Sequence, residues 1–171
     1  MSVAMAMSLM VSHAQPKSLG TTFSYTGFSL SYEHDLCESD SFIEASIKAE
    51  TSEYFLNRSE KPGISGSLTW NFHITKWMSS EGNSLALIAG PGLVCGYGHD
   101  FMRPDGFYIG LKGRFGIGCE FARRIIISAT ISPVIGAHMS VRPEDHNVTM
   151  KYYINGLVYS LMPEVGIKYA F

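Results

Sequence analysis

Residues 106–121 read GFYIGLKGRFGIGCEF, and side chains of opposite character alternate along this stretch. Phe107, Ile109 and Leu111 begin an apolar series at odd positions, whereas Lys112 and Arg114 stand at even positions among glycines. Successive side chains of a β-strand point to opposite faces of the sheet, so a period of two predicts a strand with one apolar and one polar face. We therefore predict an all-β fold built from amphipathic strands.

The same period of two recurs over most of the chain. It is found in residues 28–36, 42–54, 64–75, 85–97, 125–137 and 157–171. Together with residues 106–121, these segments make seven predicted strands. Pro91, Pro133 and Pro163 interrupt three of the segments. We expect a β-bulge at each proline, because proline removes a hydrogen bond from the ladder.

An eighth, short strand is predicted before residue 28. Leu19 and Phe23 are odd-numbered and apolar, but Phe28 and Leu30 are even-numbered, so the phase of the alternation changes next to Gly27. A tight turn there, with Gly27 at positive φ, separates two strands; the alternative is one long strand with a bulge. Eight antiparallel strands joined by alternating short and longer connections predict a closed, up-and-down transmembrane barrel with both chain ends on one side.

The composition excludes several classes of protein. Charged residues make up 16% of the 171 residues, below the roughly 25% of typical soluble domains, and the net charge of −2 offers no basic surface to nucleic acid. No apolar run reaches the length of about 18 residues that a transmembrane helix needs. The cysteines and histidines lack metal-ligand spacing, so we expect no metal, no cofactor and no disulfide framework.

The N-terminal residues have features of an export signal. Residues 2–11 form a short apolar run, and Ser12 and Ala14 supply the small residues of a cleavage site. We predict a signal peptide at residues 1–14, cleaved after Ala14, and a barrel domain at residues 15–171. A signal peptide normally has a lysine or arginine before its apolar run, but none precedes this one. The alternative is an N-terminal tail that is disordered or helical.

The apolar face of the strands is predicted to point outward into lipid. The polar face is rich in glycine, which suits the inside of a narrow barrel. Aromatic residues cluster near the segment ends, as they do at the two interfaces of a membrane. If the apolar face pointed inward instead, the chain would be a soluble, lipocalin-like carrier of hydrophobic ligands.

Two stretches carry a resemblance to a known family. Residues 165–171, VGIKYAF, complete an amphipathic strand that ends on an aromatic residue, and residues 27–36, GFSLSYEHDL, are followed by a turn and FIEASI at 42–47. Here the chain resembles the small eight-stranded outer-membrane barrels of Gram-negative bacteria, including those common in Bacteroidetes. The resemblance implies an outer-membrane location, periplasmic termini, outer-membrane lipid as a partner, and recognition of Tyr169 and Phe171 by the barrel assembly machinery.

The predicted interior collects charged residues of both signs. They are Glu33, Glu44, Glu50, Glu120 and Glu164 together with Lys48, Lys112, Arg114 and Lys168. Buried charges are tolerated only when they are paired and hydrogen-bonded, and an eight-stranded barrel is just wide enough to hold its own side chains. We therefore expect a filled, salt-bridged lumen without a large pore.

His138 and Ser140 are the best candidates for catalysis, because they share a strand face, and either Glu144 or Asp145 is the candidate third member of a triad. This His-x-Ser element resembles that of the outer-membrane lipid A deacylases. In those enzymes an asparagine follows the serine and the pair faces lipid, whereas here Val141 follows and the parity places the pair in the lumen.

The leading functional hypothesis is therefore non-enzymatic. It is a structural or surface-interaction barrel whose outer loops, at residues 57–62, 100–105 and 142–147, contact an unidentified surface partner. A lipid A-modifying enzyme that uses His138 and Ser140 is the alternative from another class, beside the soluble carrier described above.

Overall fold

The alternating segments form strands along most of the described chain. The computed structural model describes residues 17–36, 40–79, 83–101, 103–122, 124–141, 147–159 and 162–171. The strands are β1 (Lys17–Ser24), β2 (Gly27–Asp35), β3 (Ser41–Glu50), β4 (Gly63–Met78), β5 (Ser84–Asp100), β6 (Arg103–Phe121), β7 (Ile125–Ile131), β8 (Val134–Val141), β9 (Val148–Tyr152) and β10 (Glu164–Ala170). Two one-turn helices, α1 (Ser52–Phe55) and α2 (Asn155–Val158), lie between strands. Within the described ranges, no helix is long and apolar enough to cross a membrane.

The strands close into a barrel. Strands β1 to β6 pair in sequence order, each antiparallel to the next. β6 then pairs with β7, β7 with β10, and β10 with β1, which completes a ring of eight strands. β8 continues the line of β7 along β6, and β9 pairs with β8, so these two strands extend the wall beyond the ring. The prediction of an all-β, antiparallel, up-and-down barrel of about eight strands is confirmed.

The barrel is strongly sheared. Partner residues followed from Phe23 through β2, β3, β4 and β5 arrive at Phe107 on β6. Partners followed from Phe23 through β10 and β7 arrive at Ile117, ten residues further along the same strand. Such a stagger tilts the strands by about 40° and leaves an interior that side chains can fill.

The predicted turn before β2 is present. β1 ends at Ser24 and β2 begins at Gly27, which has a φ of 151°. A Cβ at Gly27 would lie 1.9 Å from the carbonyl oxygen of Ala49, so both the backbone angle and the available space require glycine. Phe23 and Phe28 face outward on either side of the turn, as the change of phase predicts. The alternative of one long bulged strand is wrong.

The first and last described residues meet at one end of the barrel. The amide of Lys17 donates to the carbonyl of Phe171 at 3.3 Å, and the amide of Phe171 donates to the carbonyl of Lys17 at 2.8 Å. We call this end proximal and the opposite end distal. Lys17 and Phe171 therefore lie on the same side of the barrel, as an even number of strands predicts.

The prolines do not mark bulges, so that prediction is wrong. β6 keeps one register with β5 across Pro91, and one register with β7 and β8 across Pro133. Pro163 lies before β10 rather than inside a strand. A proline removes one donor, but the residue pairs on either side preserve the register. Register shifts occur instead next to Ile74 and next to His99.

The prediction of a strand at residues 157–171 is wrong for the first half of that range. Tyr159 directly follows α2, and only β10 belongs to the sheet. The backbone N–H groups of Ile154 and Asn155 both donate to the carboxylate of Asp100 at 2.9 Å, which holds this segment away from the strand path. The wall is extended instead by β9, which is missing from the prediction. The predicted segment 42–54 also ends early, because β3 stops at Glu50 and α1 follows.

Apolar side chains cover the outside of the barrel. Leu30, Leu68, Leu111 and Ile135, from four different strands, are each more than half exposed. The buried polar side chains that face the lumen include Ser18, Glu33, Glu44, Thr69, Asn71, Arg114, Ser128, Thr130 and Lys168. The apolar face therefore points outward, and the inverted, lipocalin-like arrangement is wrong.

Candidate functional site

Two acidic side chains oppose each other in the middle of the lumen. Glu33 on β2 and Glu44 on β3 are Cα partners, and both are buried. Lys168 from β10 forms ion pairs with both carboxylates, and Arg114 from β6 forms one with Glu44. Like charges on facing strand positions destabilise a sheet unless cations compensate them, and here two bases neutralise two acids. We call these four residues the central cluster.

Glycines stand opposite the two cations of the central cluster. Gly20 on β1 is the partner of Lys168, and a Cβ at Gly20 would lie 2.4 Å from the lysine Cγ. Gly90 on β5 is the partner of Arg114, and a Cβ at Gly90 would lie 2.2 Å from the carbonyl oxygen of Trp70. The missing Cβ at Gly20 therefore makes room for the Lys168 side chain, whereas the missing Cβ at Gly90 allows the backbone of β4 to approach closely.

The β5–β6 pair repeats this complementarity along its length. The opposed residues are Gly90 with Arg114, Gly92 with Lys112, Val94 with Gly110, and Gly96 with Tyr108. Each pair joins a larger side chain to a glycine. Lys112 donates to Ser67 on β4 at 3.2 Å, and the Tyr108 hydroxyl donates to Glu50 on β3. Side chains of β6 therefore reach across two or three strands of the lumen.

The central cluster lies between two cavities. The proximal cavity, of about 180 Å³, is lined among others by Asp35, His73, Lys76 and Glu120. The distal cavity, of about 100 Å³, is lined by hydroxyl and charged side chains and reaches the loop between α1 and β4. Arg114 borders both cavities. Neither cavity has the dimensions of a porin channel.

A polar network lines the distal cavity. Lys48 and Glu164 form an ion pair at 3.1 Å. The hydroxyls of Ser46 and Ser67 lie 2.8 Å apart, and Ser67 accepts the hydrogen bond from Lys112. These groups belong to strands on opposite sides of the barrel, so the network ties the wall together through the lumen.

An aromatic stack forms another wall of the distal cavity. The rings of Tyr108 and Tyr153 are parallel, with centroids 4.3 Å apart. Glu50 accepts hydrogen bonds from the Tyr108 hydroxyl and, at 2.9 Å, from Ser65. The carboxylate is therefore held by neutral donors. Val94 completes the small hydrophobic core beside these rings.

Helices α1 and α2 cover the cavity where β1 and β2 are short. The Tyr159 hydroxyl, next to α2, donates to Glu53 of α1, and its ring lies 5.4 Å from that of Tyr25 in the β1–β2 turn. Partial burial and the hydrogen bond to Glu53 raise the pKa of Tyr159 to about 12. Side-chain contacts therefore complete the wall at this point.

The nine predicted lumen residues lie on the inner face and fall into three groups. Glu33, Glu44, Arg114 and Lys168 form the central cluster, Lys48, Glu50, Lys112 and Glu164 line the distal cavity, and Glu120 lines the proximal cavity. Glu120 accepts from Ser84 at 2.9 Å and lies 3.8 Å from Lys76. The sequence analysis did not identify Tyr108 and Tyr153 as lumen residues. For Tyr108 the available signal was its even position in residues 106–121, which places it on the inner face.

The catalytic candidates His138 and Ser140 are buried on the inner face, as their parity predicts. An imidazole nitrogen of His138 lies 3.3 Å from the carbonyl oxygen of Gly98, and the ring stacks on Tyr153 at 6.3 Å. Glu144 and Asp145 lie outside the described residues. The recorded contacts of His138 are thus with backbone and an aromatic ring, and they do not assemble a triad.

The C-terminal residues Tyr169 and Phe171 are both exposed, and Arg124 donates to the Tyr169 hydroxyl at 3.4 Å. In the part of the chain that the structure describes, no group of three or more His, Cys, Asp or Glu side chains is placed to hold a metal ion. Comparison of the chain with protein-family models, curated proteins and solved structures finds no match. The functional interpretation therefore rests on the geometry of the barrel.

Proposed function

We propose that this chain is an outer-membrane β-barrel with a structural or surface-interaction role, whose apolar outer face lies in lipid and whose lumen is sealed. The exposure pattern carries the proposal. Large apolar side chains are exposed on every strand of the ring, whereas the buried polar residues face inward. Leaving a leucine or isoleucine in water rather than burying it costs about 1.5–3 kcal/mol, and soluble monomers rarely expose contiguous apolar patches of this kind.

Exposed aromatic residues support two lipid interfaces. Trp77, Phe121 and Tyr169 lie near strand ends on the proximal side. Tyr97 and Phe107, which are Cα partners, lie towards the distal side. Aromatic side chains are enriched where the hydrocarbon core meets the headgroups of a membrane. The two groups would mark the upper and lower limits of the membrane-embedded band.

The central cluster supports a sealed lumen rather than a channel. Its ion pairs join β2 and β3 to β6 and β10, so they cross the barrel between the two cavities. Buried ion pairs are costly to separate. A barrel closed in this way would act through its surface. We place the joined chain ends in the periplasm and the distal loops outside the cell.

The loop before β4 is tied to the distal ends of β5 and β6, whose connection is shorter than the predicted loop at residues 100–105 because β5 ends at Asp100 and β6 begins at Arg103. Ser59, in the loop before β4, donates to Asp105 at 2.9 Å, and His99 lies 3.3 Å from the same carboxylate. The loop at residues 142–147 lies almost entirely outside the described residues. An ordered distal surface is a suitable platform for contact with an envelope component or another cell.

The proposal is tested by expressing the full chain in a Gram-negative host, fractionating the envelope, and running the membranes on gels with and without boiling. We expect an outer-membrane protein with a heat-modifiable band and a mature mass that corresponds to cleavage after Ala14. A periplasmic, water-soluble protein with one band would contradict the membrane location. In planar bilayers we expect no steady, large openings, and such openings would contradict the sealed lumen.

A further inference from the structure

Strand β9 stands at the edge of the sheet that extends beyond the ring. Among the strands that the structure describes, β9 pairs with β8 and with no other. The amide of Tyr153, directly after β9, donates to the carbonyl of Gly136 at 2.9 Å. Hydrogen-bonded pairs alternate along an antiparallel ladder, so the amides and carbonyls of Val148 and Met150 point away from β8. Such an edge can pair with a further strand.

The edge of β9 lies further towards the distal end than the exposed aromatic residues do. Partner residues followed from Phe107 on β6 lead to Met139 on β8 and then to Met150 on β9. Because of the stagger of the ring, each step in this direction rises towards the distal end, by about 3 Å for strands that are about 4.8 Å apart and tilted by about 40°. Met150 therefore lies about 6 Å beyond Phe107, outside the aromatic limit of the membrane-embedded band. Its side chain is 68% exposed, and that of Val148 is 70% exposed.

The sequence of β9, VTMKY, is complementary to itself in an antiparallel register centred on Met150. In this register the backbone groups of the two Met150 residues bond to each other, Val148 lies opposite Tyr152, and Thr149 lies opposite Lys151. Apolar and aromatic side chains then meet on the outer face, which is a favourable cross-strand pairing. A register centred on Lys151 would instead place two like charges directly opposite each other, which is unfavourable. The best partner for this edge is therefore another β9.

We propose that β9 pairs antiparallel with β9 of a second copy of this chain, and that the second copy lies in an apposed membrane. Two identical antiparallel strands are related by a two-fold axis perpendicular to their sheet. The sheet here is the barrel wall, so the axis lies in the membrane plane and the second barrel is inverted relative to the first. The pairing therefore joins two distal ends across two membranes, and the two-fold symmetry closes the assembly at two copies. This inference rests on the proposed membrane location and names the surface partner.

The test reconstitutes the folded barrel into lipid vesicles by detergent removal, so that part of the molecules have their distal ends on the outside, and follows vesicle clustering by light scattering. We expect vesicles that contain the barrel to cluster and vesicles without protein to stay dispersed. Met150→Pro removes the amide at the centre of the pairing and should slow clustering by about tenfold. Met150→Thr keeps that amide and is the matched control, so vesicles with this variant should cluster at a rate close to that of the wild type.

Cysteine cross-linking gives a second measurement that remains available if Met150→Pro fails to fold. In a chain whose three cysteines are replaced by alanine, Met150→Cys is reconstituted in two separate vesicle populations, one of which carries a mass tag on the protein. After mixing and mild oxidation we expect disulfide-linked dimers that contain one tagged and one untagged chain. Opposed residues of a hydrogen-bonded pair have Cα atoms about 5.5 Å apart, a separation that a disulfide spans. Ile135→Cys, at an exposed outward position on β8, is the control and should stay monomeric.

The outcomes separate this inference from the proposed function. Vesicles that contain the inserted barrel and stay dispersed would overturn the pairing while leaving the membrane location intact. A chain that does not insert into lipid at all would reject both. Cross-linked dimers confined to one vesicle population, or equal cross-linking in Ile135→Cys and Met150→Cys, would overturn the pairing across two membranes.

Discussion

The wall of the barrel is built differently on its two sides. On one side, β5 and β6 pair without interruption apart from one shift near His99, and large inward side chains oppose glycines. On the other side, β1 and β2 stop at Ser24 and Gly27, and the chain leaves the sheet between Tyr152 and Glu164. There the wall is completed by side chains of α1 and α2. Backbone pairing makes the first side, whereas individual polar contacts close the second.

Removing the cation that both acids of the central cluster share should have the largest effect. Lys168→Met leaves Glu33 without an ion pair in the described part of the chain and leaves Glu44 with Arg114 alone. Breaking a buried pair in this way costs about 3–5 kcal/mol of unfolding free energy. Urea unfolding of the purified barrel, followed by tryptophan fluorescence, measures the change.

The matched control is Lys76→Met. Its ion pair with Glu120 spans 3.8 Å and is partly exposed, so we expect a loss of less than about 1 kcal/mol. Adding Glu33→Gln to Lys168→Met should recover part of the stability, because it removes the uncompensated charge. Equal losses in the two lysine variants would show that Lys168 in the central cluster stabilises the barrel no more than a partly exposed ion pair does.

Adding one methyl group on the regular side should have the next largest effect. Gly90→Ala places a Cβ 2.2 Å from the backbone oxygen of Trp70, so β4 must move. Such overpacking costs about 1–3 kcal/mol. In Gly66→Ala, the control on the neighbouring strand, the atom nearest the added Cβ is the Ser46 carbonyl oxygen at 3.9 Å. Equal unfolding midpoints for the two variants would contradict the close approach of strands at Gly90.

On the irregular side, Tyr159→Phe removes the hydrogen bond to Glu53 and should cost about 1 kcal/mol. Because the pKa of Tyr159 is raised from 10.0 to about 12, the contribution of the neutral phenol is complete below pH 10 and is lost as the pH rises towards 12. Unfolding curves at about pH 8 and above about pH 10 measure both effects. Tyr169→Phe, at an exposed tyrosine, should change stability less, and a larger loss there would contradict the role of Tyr159.

The smallest effect is expected at the break between β7 and β8. Both strands share one register with β6, and the amide of Gly113 donates to the carbonyl of Pro133 at 2.8 Å across the break. Pro133→Ala should therefore change the unfolding free energy by no more than about 0.5 kcal/mol. A larger loss, or a changed gel mobility of the folded band, would show that proline itself fixes this part of the wall.

The two sides also differ in how far the sequence predicts them. In β6 apolar outward residues alternate with inward glycine, polar or charged residues over nearly the whole strand, so the strand and its inner face follow from the period of two. Helix α2 is too short to display a helical period, and its N-terminal amides are bound by Asp100, which is 54 and 55 residues away in sequence. The local alternation at Leu157 and Tyr159 therefore predicts a strand, but tertiary contacts hold this segment outside the sheet.

The sequence predicts which residues line the lumen, but it does not predict which of them contact each other. Parity places Glu33, Glu44 and Lys168 in the lumen. Which acid meets which base depends on the register between β10 and β1 and on the ten-residue stagger of the ring. Neither quantity is encoded in any short stretch.

The ion pair between Lys168 and Glu33 joins residues 135 positions apart, almost the whole described chain. Contacts of such long sequence separation form late, because the cost of closing the intervening loop must be met first. Until the last strand is in place, Glu33 and Glu44 face each other with Arg114 as their only cation in the cluster. An unfinished barrel is therefore electrostatically strained, and arrival of the final strand both seals the wall and relieves that repulsion.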